Sequence, residues 1–547
     1  MQIHFANVWE AIADEHGDRI ALVHGDEHIT WAEYDDRAAR LAQAFLDLGL
    51  QPDSKVALYL YNGIEYVVAQ YAAFKIRAVP VNVNYRYTDN ELLYLLDNSD
   101  AEVLVYHSSL GDRVERVLAK ATKLRAVIEV DDGGTHVPTA SMFEDVIASH
   151  EPAARIEGQP DDIYMLYTGG TTGMPKGVMY QHGVFPLAIS ALGAGIHGIT
   201  PATDVDELLG LGRQLDHPVT WLAACPQMHG TGMWLGTMIP LLLHGSVVTL
   251  TSRSFDADEL WRAVERNAVD CVVIVGDSFA KPMLRALDEG QYELPSLKAI
   301  VSSGVMWSTE VKEGLLRHLD VLLYDGLGST EGSMGATIST RAGIGTTARF
   351  TSSPSVKVID EDGREIEPGS DQIGMVAAVS ASLGYFKDPE KSARTFKVID
   401  GVAHSLPGDW AKVAADGSLI LLGRGSNCIN TGGEKVFPEE VEEAVKAHPA
   451  IYDCLVVGVP DEKFGERIVA IASLQPDASA TEADIIAVAG DHVARYKLPK
   501  QLILVDTVRR APNGKADYPW AREMAASTPA APSSPEAAAR TAGPTNA

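Results

Sequence analysis

The chain is 547 residues long, enough for more than one domain and a large core. Its 45 basic and 74 acidic residues give a formal net charge of -29, which argues against nucleic acid or an anionic membrane surface as a partner, and any anionic ligand must be held by local donors against the overall field. The four cysteines, Cys225, Cys271, Cys428 and Cys454, form no CxxC pair, so zinc and disulfide scaffolds are set aside and reduced thiols in a cytoplasmic protein are expected.

The opening Met1-Gln2-Ile3-His4-Phe5 lacks the basic start and long apolar run of a signal peptide. Residues 20–30 read as a hairpin around Gly25-Asp26, and Thr30 as the cap of a helix in which Leu41, Phe45 and Leu48 follow helical spacing. Strands are expected at 56–61, 79–83 and 103–106, and a helix at 65–75. This alternation predicts α/β layers with largely parallel sheets.

A short apolar run, 163–166, leads into Tyr167-Thr168-Gly169-Gly170-Thr171-Thr172-Gly173-Met174-Pro175-Lys176-Gly177. Glycines let backbone N–H groups turn towards an anion, threonine hydroxyls add donors, and Lys176 adds positive charge. This is phosphate-holding chemistry. It is not a Walker A loop, because Pro175 precedes the lysine and Gly177 follows it.

Residues 200–217 read as a polar, solvated insertion. Pro226-Gln227-Met228-His229-Gly230 follows. Residues 231–250 contain no Asp, Glu, Lys or Arg, but Pro240, His244 and Gly245 interrupt them, which favours a buried helix and then a buried strand over a membrane span. Met228, Met233 and Trp234 suit either the wall of an apolar tunnel or an ordinary core. Residues 272–275 form a strand ending at Gly276-Asp277-Ser278-Phe279-Ala280, a near miss to the nucleophile elbow of a serine hydrolase, since its second glycine is absent. Residues 299–302 form another strand, running into Ser303-Gly304. In Asp325-Gly326-Leu327-Gly328-Ser329-Thr330-Glu331-Gly332, Thr330 can donate to a phosphate and Glu331 can hold Mg²⁺ through oxygen.

Asp416-Gly417 reads as a hairpin turn before a strand ending at Arg424. Residues 438 onward begin a helix at Pro438. Strands are expected at 455–459 and 468–472, and Ala511-Pro512-Asn513-Gly514-Lys515 is a turn presenting a lysine. From Met524 the composition is that of a disordered tail.

The two glycine-rich motifs, with Asp409, Arg424, the 430–435 loop and Lys515 in order behind them, closely resemble the adenylate-forming enzymes. The texture is most like bacterial fatty-acid and steroid-side-chain CoA ligases. The resemblance implies a large N-terminal adenylation domain (1–425), a small mobile C-terminal domain (426–524) and a tail (525–547). It implies that Thr168, Gly169, Gly170, Thr171, Thr172, Lys176, Gly328 and Ser329 hold phosphates. Ser303 and Gly304 wall the adenine site, and Asp325 accepts from the adenine amine. Leu327 stands where the family usually has an aromatic, so apolar contact replaces stacking. Asp409 takes the ribose hydroxyls and Arg424 the ribose and phosphate region. His229 gates an acyl tunnel bordered by Met228, Met233, Trp234 and Gly276. Ser426 falls on the pivot, and Gly432, Gly433 and Lys435 on the loop serving thioester formation.

The implied reaction has two steps. A carboxylate attacks the α-phosphate of Mg·ATP, and CoA thiol then displaces AMP. Lys515, Thr330 and Mg²⁺ on Glu331 neutralise the developing charge. No general base is needed, because the acid is already ionised at neutral pH. The expected substrates are a hydrophobic carboxylic acid, ATP and CoA, with no nucleic acid and no transmembrane segment. A homodimer is left open. The alternatives are an aromatic-acid CoA ligase, a stand-alone adenylation enzyme feeding a carrier protein, and, more remote, a hydrolase built on Ser278.

Overall fold

The computed structural model describes residues 1–168, 174–431, 434–461, 465–512 and 514–528. Gly169, Gly170, Thr171, Thr172, Gly432 and Gly433 therefore lie outside the described residues. The chain is α/β, with a large N-terminal unit and a smaller C-terminal one. The large unit comprises 1–407, 413–420 and 512–514, and the small one comprises 408–412, 421–511 and 515 onward. The break expected at 425 is thus displaced, because the short stretch around Asp409 and the end of the strand Leu419–Arg424 pack with the small unit. The small unit also runs past the expected end at 524. Its last helix is Tyr518–Ser527, whose Ala521 and Ala525, four residues apart on one face, are both buried.

In the large unit, Thr220–Ala223, Cys271–Ile274, Ala299–Ser303 and Leu322–Ser329 lie side by side in parallel. Ser246–Thr249 and Ile20–His24 extend this sheet in parallel on one side. On the other, Leu322–Ser329 turns back antiparallel into Gly332–Ser339. Near-continuous apolar runs such as Cys271–Ile274 make these strands, as expected when both faces are covered. Parallel strands put their C-terminal ends on one edge, where open α/β sheets place ligands. His229, Gly276, Gly304 and Glu331 all follow such ends.

A second sheet pairs Val79–Asn82, Lys55–Tyr59, Ala101–His107 and Ala126–Val130 in parallel. A third is antiparallel. Ile163–Thr168 pairs Lys176–Gln181, which pairs Ser382–Tyr385. The first helix after the opening hairpin is Trp31–Asp47, held by a full capping box between Thr30 and Glu33.

Two stretches differ from expectation. The insertion at 200–217 is not simply solvated, since it contains the helix Val205–Gly210 and buries Leu208 and Leu211. The charge-free stretch is a π-helical segment, Thr231–Met238, then Ile239–Leu242 and the strand Ser246–Thr249. Among the described residues no helix is long and apolar enough to cross a membrane.

In the small unit, Ile451–Asp461 and Gly465–Leu474 form a long hairpin, and the second of these strands also pairs with Gln501–Leu504 and, at Gly465, with Thr431 of Ile429–Thr431. The helix Pro438–Lys446 packs against it through Val441 and Val445.

Candidate active site

The tight hairpin between Leu322–Ser329 and Gly332–Ser339 puts Thr330 and Glu331 at its tip, with Ser329 opposite Gly332. The tip is tied down from three sides. Tyr180 donates its hydroxyl to the Thr330 carbonyl, Ser380 donates to the Glu331 carbonyl at 2.5 Å, and the Glu331 amide reaches the Ser329 hydroxyl at 3.2 Å. The Glu331 carboxylate is itself oriented, because Oε1 accepts the Tyr385 hydroxyl at 2.7 Å. Tyr180 and Tyr385 come from neighbouring strands of the antiparallel sheet, which also carries Thr168 opposite Lys176.

Lys176 lies near the same tyrosine, its Nζ 5.6 Å from the Tyr385 ring centre. Lys391, from the helix Pro389–Thr395, approaches that ring at 5.3 Å. Asp388 caps this helix through the Lys391 amide and stands 3.9 Å from Lys176. Burial and the adjacent Lys391 ammonium bring the Lys176 pKa down to about 8, against the pull of Asp388 and Glu331. Tyr385, Lys391, Asp388 and Tyr180 were not expected from the sequence.

Asp325 lies further back on the strand Leu322–Ser329. It is 4 % exposed, and its Oδ2 pairs with Lys312 at 2.6 Å. Burial raises its pKa while Lys312 opposes the rise. This pair ties the strand to the helix Thr309–His318.

At the neighbouring strand ends, Ser303 is half-buried and Gly304 is exposed at φ +94°, a conformation that favours glycine. Gly276 is different. Its φ is +51°, and an added Cβ would lie 2.5 Å from the Met306 carbonyl oxygen and 2.8 Å from that of Val305. A side chain at Gly276 would therefore meet backbone first. Its amide donates to Ser302 at 2.8 Å. Among the described hydrogen bonds Ser278 has no histidine partner, so nothing there supports the hydrolase.

The 226–234 stretch is held by amides. Asn82 donates to both the Tyr167 and Met228 carbonyls, at 2.8 and 2.7 Å, and accepts the Tyr167 amide at 2.6 Å. Gln227 accepts the Gly63 amide at 3.1 Å and donates to Thr237 at 3.0 Å. Met228 and Met233 are each 1 % exposed. Met228 belongs to the core, whereas Met233 also borders a cavity with Tyr66, Gln70, Tyr164 and Leu166. Trp234 donates its indole N–H to Tyr164 at 3.0 Å and meets Tyr180 and Phe185 edge-on. Half-buried His229 opens the π-helical segment, its carbonyl accepting from Met233.

In the small unit Asp409 and Arg424 are together, with Arg424 Nε 3.3 Å from Asp409 Oδ1. Glu439 supports them, accepting the Arg424 amide at 3.4 Å on Oε1 while its Oε2 is closed off from solvent. Its pKa rises to about 7, through burial first and then Asp409. Glu442, on the same face, accepts the Val456 amide and the Tyr518 hydroxyl at 2.9 and 3.1 Å. Burial and then the Glu439 charge push its pKa to about 8. Ser426 is exposed in the turn Gly425–Asn427, and Lys435 projects over the Trp410 ring at 5.2 Å. Lys515 is exposed on a turn closed by the Ala511 amide and the Lys515 carbonyl.

A resident metal does not match these residues. Among the described residues no group of three or more His, Cys, Asp or Glu can hold one. A lone, oriented carboxylate such as Glu331 does fit a Mg²⁺ that takes most of its ligands from phosphates and water.

Comparison with known proteins identifies the family. The family model of the AMP-binding enzymes matches residues 9–382, and that of their C-terminal domain matches 440–515. The 3-oxocholest-4-en-26-oate–CoA ligase of Rhodococcus rhodochrous is 39 % identical, covering 97 % of each chain. A medium/long-chain-fatty-acid–CoA/3-oxocholest-4-en-26-oate–CoA ligase of Mycobacterium tuberculosis H37Rv is 38 % identical over 96 % of this chain and 97 % of its own. Among solved structures, the anthranilate CoA ligase AuaEII with anthranoyl-AMP superposes with a TM-score of 0.83 at 23 % identity, covering 96 % of this chain and 98 % of its own. ATP-bound MatB from Rhodopseudomonas palustris gives 0.77 at 25 %, over 96 % and 99 %. The chain therefore belongs to the AMP-binding enzyme family.

Proposed function

We propose that the chain is an AMP-forming acyl-CoA synthetase whose acid is hydrophobic, of the fatty or steroid-side-chain class. The observation that carries the chemistry is the hairpin tip, where Tyr385 fixes a lone carboxylate beside the lysine of the glycine-rich loop. The relatives' printed substrates support the choice of acid.

In this reading the ionised acid attacks the α-phosphate of ATP. The problem is charge, since a carboxylate approaches a polyanion. Lys176 and Thr168 hold phosphates, the Thr330 hydroxyl donates to the α-phosphate, and Lys515 supplies positive charge where it develops. Glu331 would hold Mg²⁺, which when bound neutralises phosphate oxygens. Asp409 receives the ribose hydroxyls and Arg424 lies beside the ribose and phosphate. Ser303 and Gly304 wall the adenine, and His229 gates the acyl path. CoA then displaces AMP with the aid of the 430–435 loop, Ser426 being the pivot by position. We place the reaction in the cytoplasm, where ATP and CoA are both supplied.

The test is pyrophosphate release with fatty, steroid-side-chain and aromatic acids, followed by CoA addition and thioester detection. Release and thioester with the first two classes support the reading. Release confined to aromatic acids would move it to the aromatic-acid ligases. Release without thioester would favour an adenylation enzyme serving a carrier.

A further inference from the structure

Lys391 is the residue of this region that the reaction above leaves unused. Its position is costly. Two like charges brought close together at a protein surface repel. Yet Lys391 and Lys176 share the Tyr385 ring that orients Glu331, their ammonium groups 5.3 and 5.6 Å from its centre, and the Lys391 charge helps to lower the Lys176 pKa. The nearby acids do not neutralise the pair closely. Asp388 is 3.9 Å from Lys176 and also caps a helix, while Glu331 is directed by Tyr385. An arrangement of this kind becomes favourable when a multiply charged anion bridges both ammonium groups.

We propose that Lys391 is a second phosphate-binding cation, and that Lys176 and Lys391 together grip the terminal, pyrophosphate half of ATP. The inference rests on reading this site as the ATP site. The charge supports the choice of anion. The two terminal phosphates carry most of the negative charge of ATP, and two adjacent ammonium groups match two adjacent phosphoryl groups. The α-phosphate already has Thr330 and Lys515 assigned to it. Lys391 would thus hold the group that leaves during adenylation, and hold it again when pyrophosphate drives the reverse reaction.

The experiment measures binding of ATP, AMP and inorganic pyrophosphate, each with Mg²⁺ and without acid, to the wild type, K391Q and K391R. K391Q should weaken ATP and pyrophosphate about tenfold or more and leave AMP within about twofold, and K391R should restore most of the loss. A second readout separates binding from mere packing. In the wild type ATP affinity should fall as pH rises through about 8, where Lys176 loses its proton among Lys391, Asp388, Glu331 and the Tyr385 phenol. Removing the neighbouring ammonium should move this limb upward in K391Q and not in K391R. Should K391Q melt early, K391M takes its place. Equal weakening of AMP and ATP, or unchanged ATP affinity with an unmoved limb, overturns the proposal. If wild-type protein releases pyrophosphate normally in that case, only the role of Lys391 falls. If wild-type protein neither binds ATP nor releases pyrophosphate, the reading of the site falls with it.

Discussion

Two regions of this molecule bury carboxylates, and they settle the charge in opposite ways. In the large unit Asp325 is buried against Lys312, whose side chain is 1 % exposed, so the interior holds a close ion pair. In the small unit the helix Pro438–Lys446 turns Glu439 and Glu442 inward, three residues apart, where Glu439 meets a backbone amide and Glu442 meets a backbone amide, a phenol and the field of Glu439. Burial there favours the proton over the charge. Residue type alone does not decide ionisation, and the partner at bonding distance does. Glu331, on the same hairpin as Asp325, is a third case. It is half-buried and oriented by a phenol, which fits its proposed role of meeting a cation that arrives with the substrate.

The largest expected effect breaks the first region. Lys312→Met leaves Asp325 buried without its cation and should cost about 3–5 kcal/mol of stability, read from denaturant unfolding. Adding Asp325→Leu should recover most of that loss, and failure to recover would mean that the pair is needed for more than charge balance. Next, Glu331→Gln should slow pyrophosphate release by about 10²–10³-fold and flatten its Mg²⁺ titration. An unchanged titration would remove Glu331 from metal binding.

The third prediction sharpens the contrast. An acid whose pKa rises on folding keeps its proton in the native state after the unfolded chain has lost its own, so stability falls as pH climbs. For Glu442 this window runs from its ordinary 4.5 to about 8, with Glu439, Arg510, Lys446, the Val456 amide and Tyr518 as the groups facing it. Wild-type protein should lose stability on the order of 1–3 kcal/mol between pH 5 and pH 8. Glu442→Gln, which keeps the acceptor oxygen, should flatten the profile. A slope unaltered in the mutant would place the titrating group elsewhere. The smallest effect is Tyr385→Phe, which loosens Glu331 without removing it. It should raise the Mg²⁺ requirement about tenfold with little change in melting temperature.

Much of this was legible in the sequence where chemistry and local pattern coincide. The Thr30 cap, the apolar strands and the glycine-rich hairpin each announce themselves within a few neighbouring residues. What could not be read was direction. Gly276 looks the same in sequence whether it clears a ligand or the carbonyls at 305–306. Asp325 stands in a ligand-binding motif, and only its burial against Lys312 reveals a structural role. Tyr385 lies 54 residues from Glu331 and meets it through strand pairing with Lys176–Gln181, which no local spacing encodes. The one available signal was composition, namely a tyrosine followed closely by Lys387 and Lys391 around a helix-starting proline.

The amide of Asn82 has a consequence for mutation at the level of the gene. Its nitrogen serves two carbonyls and its oxygen one amide, so both ends of the group are fixed in identity. Aspartate has nearly the same shape and is one base change away from any asparagine codon. At this position it would turn an oxyanion towards the carbonyls of Tyr167 and Met228, converting two attractions into repulsions in a site where water offers little relief. Hydrolysis of the side-chain amide during ageing would do the same without any mutation. The junction between the strand entering the glycine-rich loop and the turn before His229 is therefore a place where exchange of a single atom, leaving the shape intact, would disable the enzyme.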